Sequence, residues 1–263
     1  MKLNYISLVV VLISILLFTA CNKNNEALKP IPQTSTQQTI SGQIVLNLVQ
    51  SLSGAYGGID LKSGISKPAF ANEGAPFQIS RFHSLNNSLN SLCSFFVDSA
   101  LSYDTNIADT IKSHTGGKLK FYFSCNNGVS IGYTASDSLI TAGKAPGYSF
   151  YYVVNQNYLI NSLNIGNTLL SVNGNVKTDI DLTYPAPTVQ TIVSDYYVLN
   201  GLTIDLTNNG DITGGSAGFT SIGGDKNGAW NLNGTIVFFG NHKADINVNG
   251  TTYHVDLVTG KVS

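Results

Sequence analysis

The sequence predicts a mainly β protein: a large antiparallel sheet, a meander curled into a sandwich or an open barrel, with one short N-terminal amphipathic helix. Three observations predict it. Apolar and polar residues alternate with a period of two in short runs, most plainly near the C-terminus, where runs at 231–239, 244–248 and 251–257 are separated by Gly240-Asn241 and Asn249-Gly250. Asn-Gly pairs begin at 127, 173, 200, 209, 227, 233 and 249 and set the spacing of the strands. Only 11% of residues are charged while 43% are hydrophobic, so the polar face of the sheet draws on hydroxyls and amides more than on charge.

The chain opens with Met1-Lys2 and an uncharged apolar run from Ile6 to Phe18, shorter than the roughly 20 residues that span a bilayer. Residues 1–20 therefore read as a signal peptide. Thr19 and Ala20 before Cys21 resemble a bacterial lipobox, with Phe18 where Leu is usual. A lipobox implies that the Cys21 sulfur receives a diacylglycerol and becomes the new N-terminus. The expected address is then the cell envelope, as an outer-membrane lipoprotein with either face open, and the membrane partner is reached through the lipid. Each buried CH₂ of such an anchor contributes about 0.8 kcal/mol. Without residues 1–20 the chain carries 14 − 1 = 13 basic and 15 acidic side chains, a net −2. Nothing in that balance points to nucleic acid.

Residues 21–39 are polar, with Pro30, Pro32 and a Gln/Thr/Ser run, and read as a flexible tether. Residues 40–83 are expected to hold a helix and an irregular connector. Ile44, Val45, Leu48, Val49 and Leu52 share one side of a helix over 41–53, with Gln43, Asn47, Gln50 and Ser51 on the other. Ser41 is the expected N-cap and Gly54 the residue after the helix. The polar face lacks Lys and Arg, which favours docking on the sheet over lying on a membrane.

Residues 84–263 form the expected antiparallel β domain. Leu85, Leu89 and Leu92 suit a short helix. Beyond them Lys118–Cys125 and Val129–Thr134 flank Asn126-Asn127-Gly128 as a hairpin, and further strands are expected at 148–154, 175–184, 202–207 and 214–221. With Cys21 assigned to lipid, Cys93 and Cys125 remain as an even pair in an oxidising compartment, and a disulfide is expected; two buried free thiols are the alternative.

The opening at Cys93–Asp98, the Phe123-Ser-Cys125-Asn-Asn-Gly hairpin and the C-terminal run Asn233-Gly-Thr-Ile-Val-Phe-Phe-Gly with Asn249-Gly-Thr-Thr-Tyr253 resemble a group of uncharacterised β-rich lipoproteins of Bacteroidota. The resemblance covers about Cys93 to Leu257. It implies an envelope address and the Cys93–Cys125 pair, and no activity. Residues 142–165 depart from its pattern. It also implies O-glycosylation at Asp-Ser/Thr followed by a small or apolar residue, which places candidate sites at Ser99, Thr110 and Ser138.

No constellation supports catalysis, and the chain is read as a non-enzyme needing no cofactor. Gly214-Gly-Ser216-Ala-Gly218 spells G-x-S-x-G, but no helical periodicity follows, so it reads as small residues in a strand. His83, His114, His242 and His254 are dispersed, without metal-ligand spacing. Asp179 and Asp181 share one wet strand face and lack the opposed geometry of a glycosidase pair. Asp211, Asp225 and Asn227 fall in turns without the twelve-residue calcium-loop pattern. The aromatic set Tyr148, Phe150, Tyr151, Tyr152, Tyr158, Tyr196 and Tyr197 remains. Alternation puts Tyr148, Phe150 and Tyr152 on one face, either as cross-strand packing or as a ligand platform. Two function classes follow: a structural or binding lipoprotein of the envelope, with a glycan, lipid or envelope protein as partner, or a carrier holding an apolar ligand between the curved sheet and the helix.

Overall fold

The structure is a computed structural model that describes residues 37–66, 78–79, 82–84, 92–107, 110–185 and 188–263. Cys21, the expected signal peptide and most of the expected tether lie outside the described residues. Among the described residues one α-helix, α1 (Gln37–Leu52), precedes twelve strands of a single antiparallel sheet. The strands are β1 (Gln78–Ile79), β2 (Phe82–Ser84), β3 (Phe95–Ile107), β4 (Ile111–Asn126), β5 (Val129–Ala145), β6 (Tyr148–Ser162), β7 (Leu169–Pro185), β8 (Thr188–Asp205), β9 (Asp211–Asp225), β10 (Gly228–Gly240), β11 (Lys243–Val248) and β12 (Thr251–Asp256). From β3 to β12 each strand pairs with the next, giving a ten-stranded meander in chain order; β1 and β2 both add to the outer edge of β3. The expected meander is thus one open sheet, not closed into a barrel.

Alternation explains which face is inside. On β7, Leu170, Val172, Val176 and Thr178 are fully buried, while Lys177, Asp179 and Asp181 point outward. The sheet curls, so that inward residues of β3–β5 and of β10–β12 join one apolar core with Ile44, Val45, Leu48 and Leu52 of α1. Those four helix side chains are at most 4% exposed, and their burial stabilises by about 1.5–3 kcal/mol each.

The helix differs from expectation at its start. It begins four residues before Ser41, inside the expected tether, and Ser41 is buried within it, its Oγ donating to the Gln37 carbonyl at 2.8 Å. The first turn is held from outside: the Gln37 and Gln38 amides donate to the carbonyls of Val248 and Val262. The other end is as expected. Ala55 N donates to Gln50 O and Gly54 N to Ser51 O, with Gly54 at φ +69°, a Schellman closure.

Several strand boundaries also need correcting. β3 is absent from the expected strands, and β8 runs from Thr188 to Asp205 where the pattern predicts a strand over 202–207; Leu206–Asn208 is a 3-10 turn capped by Asp205. Only four of the seven Asn-Gly pairs make turns, at 127, 209, 227 and 249. The other three lie inside strands. The register of β7 slips at Gly174, where φ is +136° and a Cβ would stand 1.9 Å from the Asn157 carbonyl oxygen, so glycine serves a bulge and not a turn. Of the short helix expected around Leu85–Leu92, Leu92 falls in a 3-10 turn and the remainder lies outside the described residues.

The Cys93–Cys125 disulfide is present, with Cα atoms 5.8 Å apart. The β3–β4 ladder begins with Phe96 opposite Tyr122, and the 3-10 turn Leu92–Ser94 just before β3 brings Cys93 to Cys125 near the end of β4.

Candidate functional site

Inward-facing aromatic residues gather at the end of the sheet marked by the β5–β6 turn. Tyr148, Phe150 and Tyr152 occupy successive inward positions of β6. Phe150 and Tyr152 stack at 4.9 Å and 16°, and Tyr148 lies 6.1 Å from Phe150. Tyr184 of β7 approaches Tyr148 at 5.7 Å, and Tyr56, from the loop after α1, meets Tyr152 at 4.9 Å. Five rings thus run from half-buried Tyr148 and Tyr184 inward to Tyr152 and Tyr56, each 2% exposed. Glycine makes room for the array: Phe150 lies across its cross-strand partner Gly143, where a Cβ would stand 2.6 Å from Cζ. Trp230 of β10 covers its own partner Gly223 in the same manner, its Nε1 donating to Ser221 Oγ at 3.1 Å.

The sequence-derived platform Tyr148, Phe150 and Tyr152 is therefore one cluster, and the structure adds Tyr184 and Tyr56. Tyr184 was within reach of pattern reading, since it shares the inward parity of Leu182 in the next strand. Tyr56 was not, because it sits in a loop without periodicity. Of the remaining aromatic set, Tyr158 and Tyr197 are buried elsewhere on the inner face, while Tyr151 and Tyr196 are exposed on the outer one. Burial raises the pKa of Tyr148, Tyr152 and Tyr184, so all three phenols are neutral. The Tyr152 hydroxyl is buried with no hydrogen-bond partner among the described residues. It interacts electrostatically with Tyr148 and Tyr184 on one flank and with Tyr56 on the other, so it sits within the ring cluster.

Beside the aromatic end, a belt of buried polar groups holds α1 to the sheet. Asn47 Nδ2 donates to Asp195 Oδ2 at 2.7 Å, and Gln43 Nε2 donates to Asn47 Oδ1 at 2.7 Å. Tyr197 Oη stands 2.7 Å from the Ile44 carbonyl and 3.0 Å from Asp195 Oδ2. The single phenol proton is shared between the two acceptors, the Ile44 carbonyl and the Asp195 carboxyl. Burial pushes the Asp195 carboxyl up to about 6, opposed by its hydrogen bonds. Further along, Ser51 Oγ meets Thr178 Oγ1 at 2.9 Å, and Gln156 Nε2 donates to the Ser51 carbonyl. Gln156 in turn receives Ile59 N at Oε1 and gives its backbone N–H to Asp137 Oδ1. Burial pushes Asp137 up to about 7. Of the polar helix side, Asn47 and Ser51 are thus buried and Gln43 and Gln50 half-buried.

The other sequence candidates separate in space. Asp211 is 1% exposed and accepts the backbone N–H groups of Asn241 and His242 at 2.6 and 2.9 Å, clamping the β10–β11 turn. Asp225 and Asn227 share a local turn at the opposite end of the sheet. Asp179 pairs with Lys177 at 3.0 Å and accepts from Ser194, and Asp181 accepts from Gln190, all on the outer face. His242 pairs with Asp211, His254 with Asp245 and His114 with Asp104; the side chain of His83 lies outside the described residues. Ser216 lies within continuous β9, which leads into β10 and not into a helix.

One arrangement escaped sequence reading. Ser102 Oγ lies 3.4 Å from His114 Nε2, whose Nδ1 lies 2.8 Å from Asp104 Oδ1. The order is that of nucleophile, base and orienting acid. All three residues are exposed, His114 and Asp104 by 58% and 87% of their side chains, so water screens the contacts and competes at the serine. Of the glycosylation candidates, Thr110 is exposed in the β3–β4 turn, Ser138 is exposed on the outer face of β5 and Ser99 is half-buried in β3. Asp137, which would precede Ser138 in the recognised tripeptide, is buried.

Compared with known proteins, the chain matches no family model, no curated sequence and no solved structure.

Proposed function

We propose that the chain is a lipid-anchored binding protein of the cell envelope, tethered through Cys21, that engages its ligand at the aromatic end of the sheet. The observation that carries the binding role is the five-ring cluster that begins at half-buried Tyr148 and Tyr184 and ends at a buried Tyr152 hydroxyl without a partner among the described residues. Leaving a buried hydroxyl unpaired costs about 1–3 kcal/mol. Tyr158 carries a second such hydroxyl deep in the core, and what sets Tyr152 apart is its place in a ring cluster that reaches half-buried Tyr148 and Tyr184. The lipobox-like Thr19-Ala20-Cys21, the disulfide and the low charge support the envelope address. On this reading the chain performs no catalysis and needs no cofactor. Its partners are the membrane, through the acyl chains, and the ligand at the ring cluster.

The carrier alternative has less support. A carrier keeps an apolar space between sheet and helix, whereas Ile44, Val45, Leu48 and Leu52 occupy that position themselves.

Metabolic labelling of the full chain with a clickable fatty acid tests the anchor. A labelled band that disappears in Cys21→Ser supports the proposal; an unlabelled native chain overturns it. The binding half is tested by recovering envelope material on the purified full chain and on Tyr148→Ala. Material retained by the first and lost by the second is expected, and equal retention overturns the assignment to the aromatic end.

A further inference from the structure

We infer that the aromatic end of the sheet recognises a terminal sugar of an uncharged glycan, an inference that rests on the binding role proposed for that end. Charge narrows the ligand first. The inward residues around the rings are Thr141, Ile180, Leu182, Thr191 and Val193, with the three tyrosines of β6 and β7. These side chains are uncharged at neutral pH, and the inward carboxylate of β9 at this end, Asp225, is held in its own turn by the backbone and side-chain N–H groups of Asn227. A phosphate, a carboxylate or a metal ion placed among them would lose its hydration without meeting an opposite charge, which is strongly unfavourable. The next inward carboxyl along β8, Asp195, is already engaged by Asn47.

Ring geometry and hydrogen bonding narrow it further. Phe150 and Tyr152 are stacked on one another, so the rings that present surface to solvent are Tyr148 and Tyr184, half-buried at the outer end of the array. A sugar presents an apolar C–H face to such rings and hydroxyls along its edge. The Tyr152 hydroxyl, buried in the same ring cluster without a partner among the described residues, needs a group that can both give and accept a hydrogen bond, and a sugar hydroxyl does both. An acyl chain would cover the rings and leave that hydroxyl unpaired.

The test titrates the full chain by calorimetry with three kinds of probe. These are neutral gluco-, manno- and galacto-oligosaccharides, a sulfated oligosaccharide, and cis-parinaric acid as an acyl chain. Saturable binding of a neutral oligosaccharide is expected, weakened at least tenfold by Tyr148→Ala. Tyr152→Phe, which keeps the ring and removes only the hydroxyl, should weaken it about fivefold while the melting temperature of the ligand-free protein rises, since an unpaired buried hydroxyl is removed. Preference for the sulfated sugar or for the acyl chain, lost on Tyr148→Ala, overturns the inference and leaves the binding role standing. Neutral-sugar binding indifferent to both substitutions overturns the inference and the placement of the site. Heat from none of the probes overturns the inference, and recovery of envelope material on the native chain then judges the binding role separately.

Discussion

Asn47 and Asp195, 148 positions apart in sequence, meet through a 2.7 Å hydrogen bond between two buried side chains, one on the helix and one on the inner face of β8. The pair is the centre of the polar belt that holds α1 in the curl of the sheet. It also makes helix docking depend on the protonation of a carboxyl.

Burial raises Asp195 from 3.8 to about 6 and Asp137 from 3.8 to about 7. A carboxyl whose folded pKa lies above its unfolded value binds more protons in the folded state, so its contribution is full below about pH 3.8 and is lost as pH rises through the folded pKa. Unfolding free energy should therefore fall between pH 4 and pH 7, with a slope of at most about 1.4 kcal/mol per pH unit from each carboxyl. Urea denaturation at a series of pH values reads this directly. Asp195→Asn should flatten the lower part of the curve and Asp137→Asn the upper part.

Leu48 is fully buried between α1 and the sheet. Leu48→Ala should lower stability by about 2–5 kcal/mol, the range for a large side chain removed from a packed core. Val49→Ala, on the half-buried flank of the same helix, should cost less. Chemical denaturation followed by circular dichroism distinguishes the two.

The Cys93–Cys125 bond closes a loop with a sequence separation of 32. Alkylation without reductant should label neither cysteine. The Cys93→Ser, Cys125→Ser double variant should lose about 3–4 kcal/mol on the loop-entropy account. Two labelled cysteines in the untreated native chain would contradict the pairing.

Gly174 and Gly147 both have positive φ, +136° and +86°, but only Gly174 has a neighbouring strand against it. Gly147→Ala should cost about 1–2 kcal/mol from backbone strain alone. Gly174→Ala must also push a Cβ away from the Asn157 carbonyl and should cost more, about 3 kcal/mol. Thermal melting of the two variants checks the order.

Much of this fold was legible from residue pattern. The period-two alternation of Ile246 and Val248 with Asp245 and Asn247 gave β11 and its buried face, and the Ile44–Leu52 spacing gave the helix. Asn-Gly was a poorer guide, because the same dipeptide serves a two-residue turn at 127 and a bulge at 173, and only the neighbouring strand decides between them. The polar belt was hidden for a physical reason. Asn47, Ser51 and Gln156 are polar by composition, and their partners lie on other elements, so local pattern assigns them to water. The aromatic site was half visible: parity joined Tyr148, Phe150 and Tyr152, while Tyr56 reaches them only through the loop that follows α1.

On the proposed function, α1 fills the curl of the sheet and leaves the aromatic end to bind ligand. Native mass spectrometry of the protein extracted from its own membrane, run for the native chain and for Tyr148→Ala, tests this most directly. Covalent acyl mass on Cys21 is expected in both, and a non-covalent adduct only on the native chain. A non-covalently bound lipid retained equally by both would place the ligand beneath the helix and contradict the proposal.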